Sequence, residues 1–132
     1  MNEHPIAAWH RIVGSRSLEQ LGPWLADDAV FHSPVVHTPQ RGKALVLAYL
    51  SAALDVLGNE HFRYVREIMG PHDALLEFET ELDGVVVNGI DLIKWNAAGR
   101  VVEFKVMVRP LKAIQAVHQR MAAKLESMMG AR

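Results

Sequence analysis

The chain has 132 residues, half of them hydrophobic and 22% charged, which suits one globular domain with a core of its own. A net charge of −1 without a basic run offers no electrostatic footprint for nucleic acid or an anionic membrane surface. The absence of cysteine excludes a disulfide framework, a thiol nucleophile and a thiolate metal site.

Pro5 to Val13 reads as a short helix stopping near Gly14, and Ser17 with Gln20 three residues on is a capping-box signature for a second. Asp28 to Ser33 is strand-like, and Pro34 to Gly42 is a loop. Lys43 to Leu57 carries Leu45, Leu47, Tyr49, Leu50, Leu54 and Leu57 at helical spacing and ends at Gly58-Asn59. His61 to Met69 reads as a strand closed by the turn Gly70-Pro71-His72-Asp73. Pro110 opens a last helix with a stripe of Leu111, Ile114, Val117, Met121, Leu125 and Met128. Its methionines, Met121, Met128 and Met129, suit packing on the sheet or on a partner chain. No apolar stretch reaches membrane-spanning length and the first residues lack the pattern of a signal peptide, so a cytoplasmic location is expected.

The segment from Leu75 to Arg109 is the most constrained. Asp83-Gly84 is a two-residue hairpin turn, which sets Leu82 opposite Val85, Phe78 opposite Gly89 and Leu76 opposite Asp91. Asn96-Ala97-Ala98-Gly99 reads as a four-residue turn, setting Trp95 opposite Arg100, Asp91 opposite Phe104 and Gly89 opposite Val106. One sheet face then holds Leu76, Phe78, Thr80, Leu82, Val87, Gly89, Ile93, Trp95, Val102, Phe104, Val106 and Val108, with Asp91 as its one charge. The other collects Glu77, Glu79, Glu81, Asn88, Lys94, Glu103, Lys105 and Arg109, read as a cross-strand charge network. An odd-length bulge in either hairpin would reverse that hairpin's parity. No turn fixes the register of the strand from His61, and Arg63 or Glu67 facing inward would end the single-charge account. The pattern predicts a single α+β domain, a curved antiparallel sheet wrapped around the N-terminal helices with a pocket between.

The run Leu25-Ala-Asp-Asp-Ala-Val-Phe-His-Ser-Pro, continuing through His37 and Pro39 to Gly42, resembles the nuclear transport factor 2-like superfamily. Within it the likeness is to the ketosteroid isomerase and SnoaL-like polyketide cyclase branches, and Ile90 to Phe104 resembles the strand-turn-strand of the same group. The resemblance spans nearly the whole chain and implies the cone-shaped (cystatin-like) fold and a homodimer through the outer sheet face. Ile90, Leu92 and Met107 there would suit that contact. In ketosteroid isomerases a base aspartate, a tyrosine and a protonated aspartate do the chemistry. Those positions fall here on Ser33, Trp9 and Asp91, and only Asp91 keeps its residue type. Serine cannot serve as a carboxylate base, so ketosteroid isomerisation by the familial route is not expected. SnoaL-like cyclases rely on one pocket aspartate, so one acid is compatible with catalysis.

A carboxyl among apolar neighbours has its neutral form favoured and can donate a hydrogen bond or act as a general acid; the plain alternative is a satisfied core group. Tyr49 on the long helix is placed to bond Asp91 or a ligand, or to pack in the core, and Trp9 is a pocket wall. Phe78 and Phe104 complete the expected lining, with Ser33 and His37 at the mouth; His32 should point outward. The remaining histidines, His4, His10, His61, His72 and His118, are scattered without metal-site spacing. There is no phosphate-cradling glycine loop, so neither metal nor cofactor is expected. Three functions stay open: a protein binding a small apolar carbonyl, phenolic or polyketide-like compound around Asp91, an isomerase, cyclase or lyase using Asp91, and a dimeric interaction module with a vestigial cavity.

Overall fold

The computed structural model describes residues 3–130, the side chains of the last two excepted. Helix α1 (Pro5–Ser15) and a single 3-10 turn (Leu18–Gln20) lead into the short α2 (Leu21–Trp24). Strand β1 (Leu25–His32), the two-residue β2 (Gln40–Arg41) and helix α3 (Lys43–Leu57) follow. The meander is β3 (Arg63–Met69), β4 (Asp73–Leu82), β5 (Val85–Trp95) and β6 (Val101–Arg109), and α4 (Leu111–Gly130) ends the chain. The six strands form one sheet in the order β2-β1-β6-β5-β4-β3. Every pairing is antiparallel except that β1 runs parallel to β6, so the sheet is mixed.

The β4–β5 hairpin has the expected register: Leu82 faces Val85, Phe78 faces Gly89 and Leu76 faces Asp91. Asp83 and Gly84 both take positive φ (53° and 78°), the mirror-image turn that matches strand twist. The β5–β6 hairpin departs from expectation twice. Its loop runs from Asn96 to Arg100, with Trp95 opposite Val101, one residue longer than a four-residue turn. A one-residue bulge then follows, since Lys94 faces Glu103. Asp91 therefore faces Val106, and Gly89 faces Val108, two positions from the expected partners. The two odd steps cancel, and the parity beyond them is kept. Within the bulge it is not: Val101 is the fully buried residue and Val102 is only half-buried.

The core lies between the concave sheet face and the helices. Phe31, Phe78, Phe104, Ile12, Leu21, Leu25 and Leu50 are among its largest fully buried side chains. On α1, Ile6, Trp9 and Ile12 repeat at three-residue spacing and turn one face inward, and the Trp9 ring stacks on Trp24 with centroids 4.8 Å apart. α1 runs past Gly14, and Arg16 takes the left-handed cap position at φ 56°. Ser17 makes no capping bond to the backbone, unlike the expected box; its hydroxyl meets that of Ser15 at 2.8 Å. α3 has the predicted bounds, but its buried line is Val46, Leu50, Ala52, Val56 and Leu57, and Leu45 is exposed. On α4, Val117 and Met121 are buried as expected and Leu125 partly so. Leu111 and Met128 are exposed instead, because Ala113 takes the inward position of the first turn. The side chain of Met129 lies outside the described residues.

Three of the outer-face glutamates have partners, two of them from outside the expected set. Glu79 pairs with Arg63 at 2.8 Å, Glu77 accepts from Asn88 at 3.0 Å, and Glu103 meets His32 at 3.0 Å. Among the described residues no ion pair joins the glutamates to Lys94, Lys105 or Arg109, although Lys94 stands opposite Glu103; Lys105 faces Leu92 and Arg109 faces Asn88. Asn59 fixes the chain after α3: its amide donates to the Glu81 carbonyl at 2.8 Å and its side-chain oxygen accepts from the His61 N–H at 2.8 Å.

Gly89 is required by contact. A Cβ there would collide with the edge of the Phe78 ring and lie 2.7 Å from the Met107 carbonyl oxygen. Gly89→Ala must shift Phe78 or the strand, and overpacking of this kind costs about 1–3 kcal/mol. Urea unfolding should show that loss with an unchanged m-value.

Candidate functional site

Asp91 is the only charged side chain among the buried described residues, 6% exposed, and Thr80 is the only other buried polar one. β5 delivers it to the concave face between Leu76 of β4 and Val106 of β6. Its partner comes from the strand whose register was unfixed. Tyr64, opposite Phe78, donates its hydroxyl to Asp91 Oδ2 at 2.6 Å. The Trp9 indole N–H in turn donates to the Tyr64 oxygen at 2.8 Å. Arg63 is exposed on the outer face, and Glu67, although opposite Leu76, lies at the sheet edge and meets His10 at 2.7 Å. The single-charge account therefore holds.

The chain Trp9–Tyr64–Asp91 has a fixed direction. An indole nitrogen can only donate, so the phenol oxygen must accept from it, and the one phenolic proton goes to Asp91. Oδ2 is thus committed as an acceptor, and any proton bound by the carboxyl sits on Oδ1. No buried side-chain nitrogen or oxygen among the described residues lacks a partner, and Asp91 lines the cavity; Oδ1 opens onto that space.

Burial raises the Asp91 pKa to about 7, with the Tyr64 hydrogen bond pulling the other way. Burial, then the neighbouring Asp91 charge and hydrogen bond, push the Tyr64 phenol well above its ordinary value. Tyr64 stays protonated at any ordinary pH, while Asp91 changes state near neutrality. The cavity itself is about 30 Å³, walled by Leu50, Ala53, Leu54, Leu57, Phe62, Phe78, Phe104 and Val106 around the three hydrogen-bonded groups. It shares Val13, Leu54 and Gly58 with an adjoining surface groove of about 120 Å³.

Of the expected lining residues, Trp9, Phe78, Asp91 and Phe104 meet at this cavity. Trp9 spends its donor on Tyr64. Tyr49 is elsewhere, its ring packed on Phe31 at 5.5 Å, because α3 turns Leu50, Ala53 and Leu54 to the cavity. Ser33 and His37 line a separate surface groove with His32 and Met107, and the Ser33 hydroxyl accepts from the Val35 N–H at 3.1 Å. Tyr64 and Phe62 were missed. The alternation Phe62-Arg63-Tyr64 carried the signal, since it sets both rings on one face. The bulge between Tyr64 and Arg66 hides that pattern in the rest of the strand.

The titration has a stability consequence. A carboxyl with a folded pKa near 7 and an unfolded value near 4 is protonated in the fold while already ionised in the unfolded chain, so stability falls as pH rises between them. Asn keeps an acceptor for Tyr64 and carries no charge. Asp91→Asn should match wild type near pH 4 and exceed it by pH 8, by a gap on the order of 4 kcal/mol at most, in denaturant unfolding measured across that range.

The SnoaL-like domain model matches residues 6–104. A steroid delta-isomerase from Pseudomonas aeruginosa is 35% identical, with a TM-score of 0.91 over 96% of this chain and 92% of that one. An uncharacterised protein with a cystatin-like fold from Silicibacter pomeroyi is 30% identical, TM-score 0.86, over 97% and 88%. A nuclear transport factor 2-like protein of unknown function from Mesorhizobium loti shares the fold at 17% identity, TM-score 0.70, over 80% and 88%. No functionally curated protein matches the chain significantly. The chain belongs to the SnoaL-like domain family, built on the nuclear transport factor 2-like fold.

Proposed function

We propose that the chain binds a small apolar compound bearing one carbonyl or phenolic oxygen, with that oxygen on Asp91. The observation that carries this is the free Oδ1 of a directed Trp9–Tyr64–Asp91 chain, the polar atom open to an otherwise apolar cavity. Below about pH 7 it donates to a ligand oxygen, and above that pH it accepts from a phenol. Ligand pockets commonly measure about 300–1,000 Å³, so occupancy requires wall side chains such as Phe62 and Leu54 to move outward. A steroid is a poor fit on that ground. The Asp91 titration favours a second reading, catalysis, because a pKa near the working pH suits one group both to remove and to return a proton. The steroid delta-isomerase at 35% identity favours an enolisable ketone for such a reaction. Ser33 supplies no second base, so the ketosteroid route is not proposed.

A thermal-shift panel of steroids, polycyclic phenols and small ketones tests the reading. Ligands at 100 times their dissociation constant should stabilise the fold by about 2.7 kcal/mol. Phenol hits should weaken in Asp91→Asn, whose free amide nitrogen cannot accept, and all hits should weaken in Asp91→Leu; ketone hits should take up deuterium from solvent only with the wild type if catalysis holds. A panel without hits, or hits indifferent to Asp91→Leu, would end the proposal.

We also propose a homodimer through the outer sheet face. Met107 and Val86 are 50% and 65% exposed there, and Ile90 lies opposite Met107. Met107→Lys should lower the sedimentation-equilibrium mass from dimer to monomer; an unchanged mass would place the contact elsewhere or rule it out.

A further inference from the structure

The groove adjoining the cavity carries a charge that neither the apolar wall nor the Asp91 chain explains. The groove beyond Val13, Leu54 and Gly58 is lined by Leu18 and two charged residues, Arg16 and Asp55. Asp55 is engaged, its carboxylate 3.4 Å from the Lys124 ammonium on α4. Arg16 is exposed, and among the described residues no carboxylate stands within ion-pair distance of it. Its backbone adds a second observation. Arg16 caps α1 at φ 56°, a left-handed position that glycine takes without strain, while Gly14 two residues earlier sits inside the helix. A strained non-glycine residue of this kind is a recognised pointer to use of its side chain.

We infer that the ligand carries a carboxylate tail that Arg16 binds in this groove while the body of the ligand reaches Asp91, so that the class is an apolar oxo acid. This rests on the proposed binding of a carbonyl or phenolic compound at Asp91. The geometry sets the length. Seven residue steps lead from Trp9, beside the Asp91 chain, to Arg16 at the cap of α1, which is about 10 Å along the axis. The side chains on both ends shorten the span a ligand must cover. Guanidinium pairs with a carboxylate through two parallel hydrogen bonds, and an ester of the same body offers no such charge.

Titration of 5-benzoylpentanoate and of its methyl ester by calorimetry, against wild type, Arg16→Gln, Arg16→Gly and Asp91→Leu, separates the two levels. Expected is an acid about tenfold tighter than the ester on wild type, with equal affinities on Arg16→Gln. Arg16→Gly should melt at a higher temperature yet show the same loss of preference, which a purely structural role of Arg16 would not produce. Both probes should weaken on Asp91→Leu, which removes the donor. Equal affinities on wild type, or a preference that survives both Arg16 variants, would overturn the Arg16 assignment and leave binding at Asp91 standing. No binding of either probe to wild type would overturn both.

Discussion

The carboxyl of Asp91 is held in an apolar interior by one hydrogen bond, from Tyr64, and much of the cone is arranged around supplying it. A buried carboxylate without a donor is costly. The donor comes from β3, at the far edge of the sheet, and reaches across β4 to Asp91 on β5. Trp9 comes from the other side, on α1, and its donor-only indole fixes which way the phenol points. Trp24 supports that indole by stacking, and its own N–H is satisfied by the Pro5 carbonyl at 2.9 Å. Three separate elements thus converge on two oxygen atoms.

Small side chains make room for the large ones. Gly89 lets the edge of the Phe78 ring come close to β5, and Phe62 stacks on that ring with centroids 5.3 Å apart. Phe62 forms part of the cavity wall near the Asn59 loop, which is pinned to β4 by side-chain hydrogen bonds. The narrow space beside Asp91 is therefore bounded on one side by a rigid sheet and on the other by the end of α3. Movement that widens it falls on the loop side.

The fold was legible where turns are short and patterns regular. Asp83-Gly84 accepts positive φ at both residues, so the β4–β5 register followed from two letters, and with it the inward aim of Asp91. The first helix and the curved sheet around it followed from the spacing of apolar residues and breakers, and the family resemblance pointed to the same cone. Tyr64 was not legible as the partner, because β3 has no tight turn fixing its register and its bulge breaks the alternation after one repeat. Tyr49 drew attention because it lies on a helix expected to face inward. Helical spacing gives a stripe but not its rotation, and α3 turns Leu50 and Leu54 to the cavity instead. Ser33 and His37 were placed at the mouth by position in the chain. The parallel pairing of β1 with β6 carries them to a different groove.

The extra residue in the loop after β5 and the bulge that follows in β6 are bound to one another. Each alone would exchange the two faces of β6, sending Phe104 and Val106 into solvent and bringing Glu103 and Lys105 beneath α1. Together they leave the concave face intact. Among relatives, a loop shortened by one residue should accordingly occur with a straightened sixth strand, so that insertions at these two places are inherited as a pair.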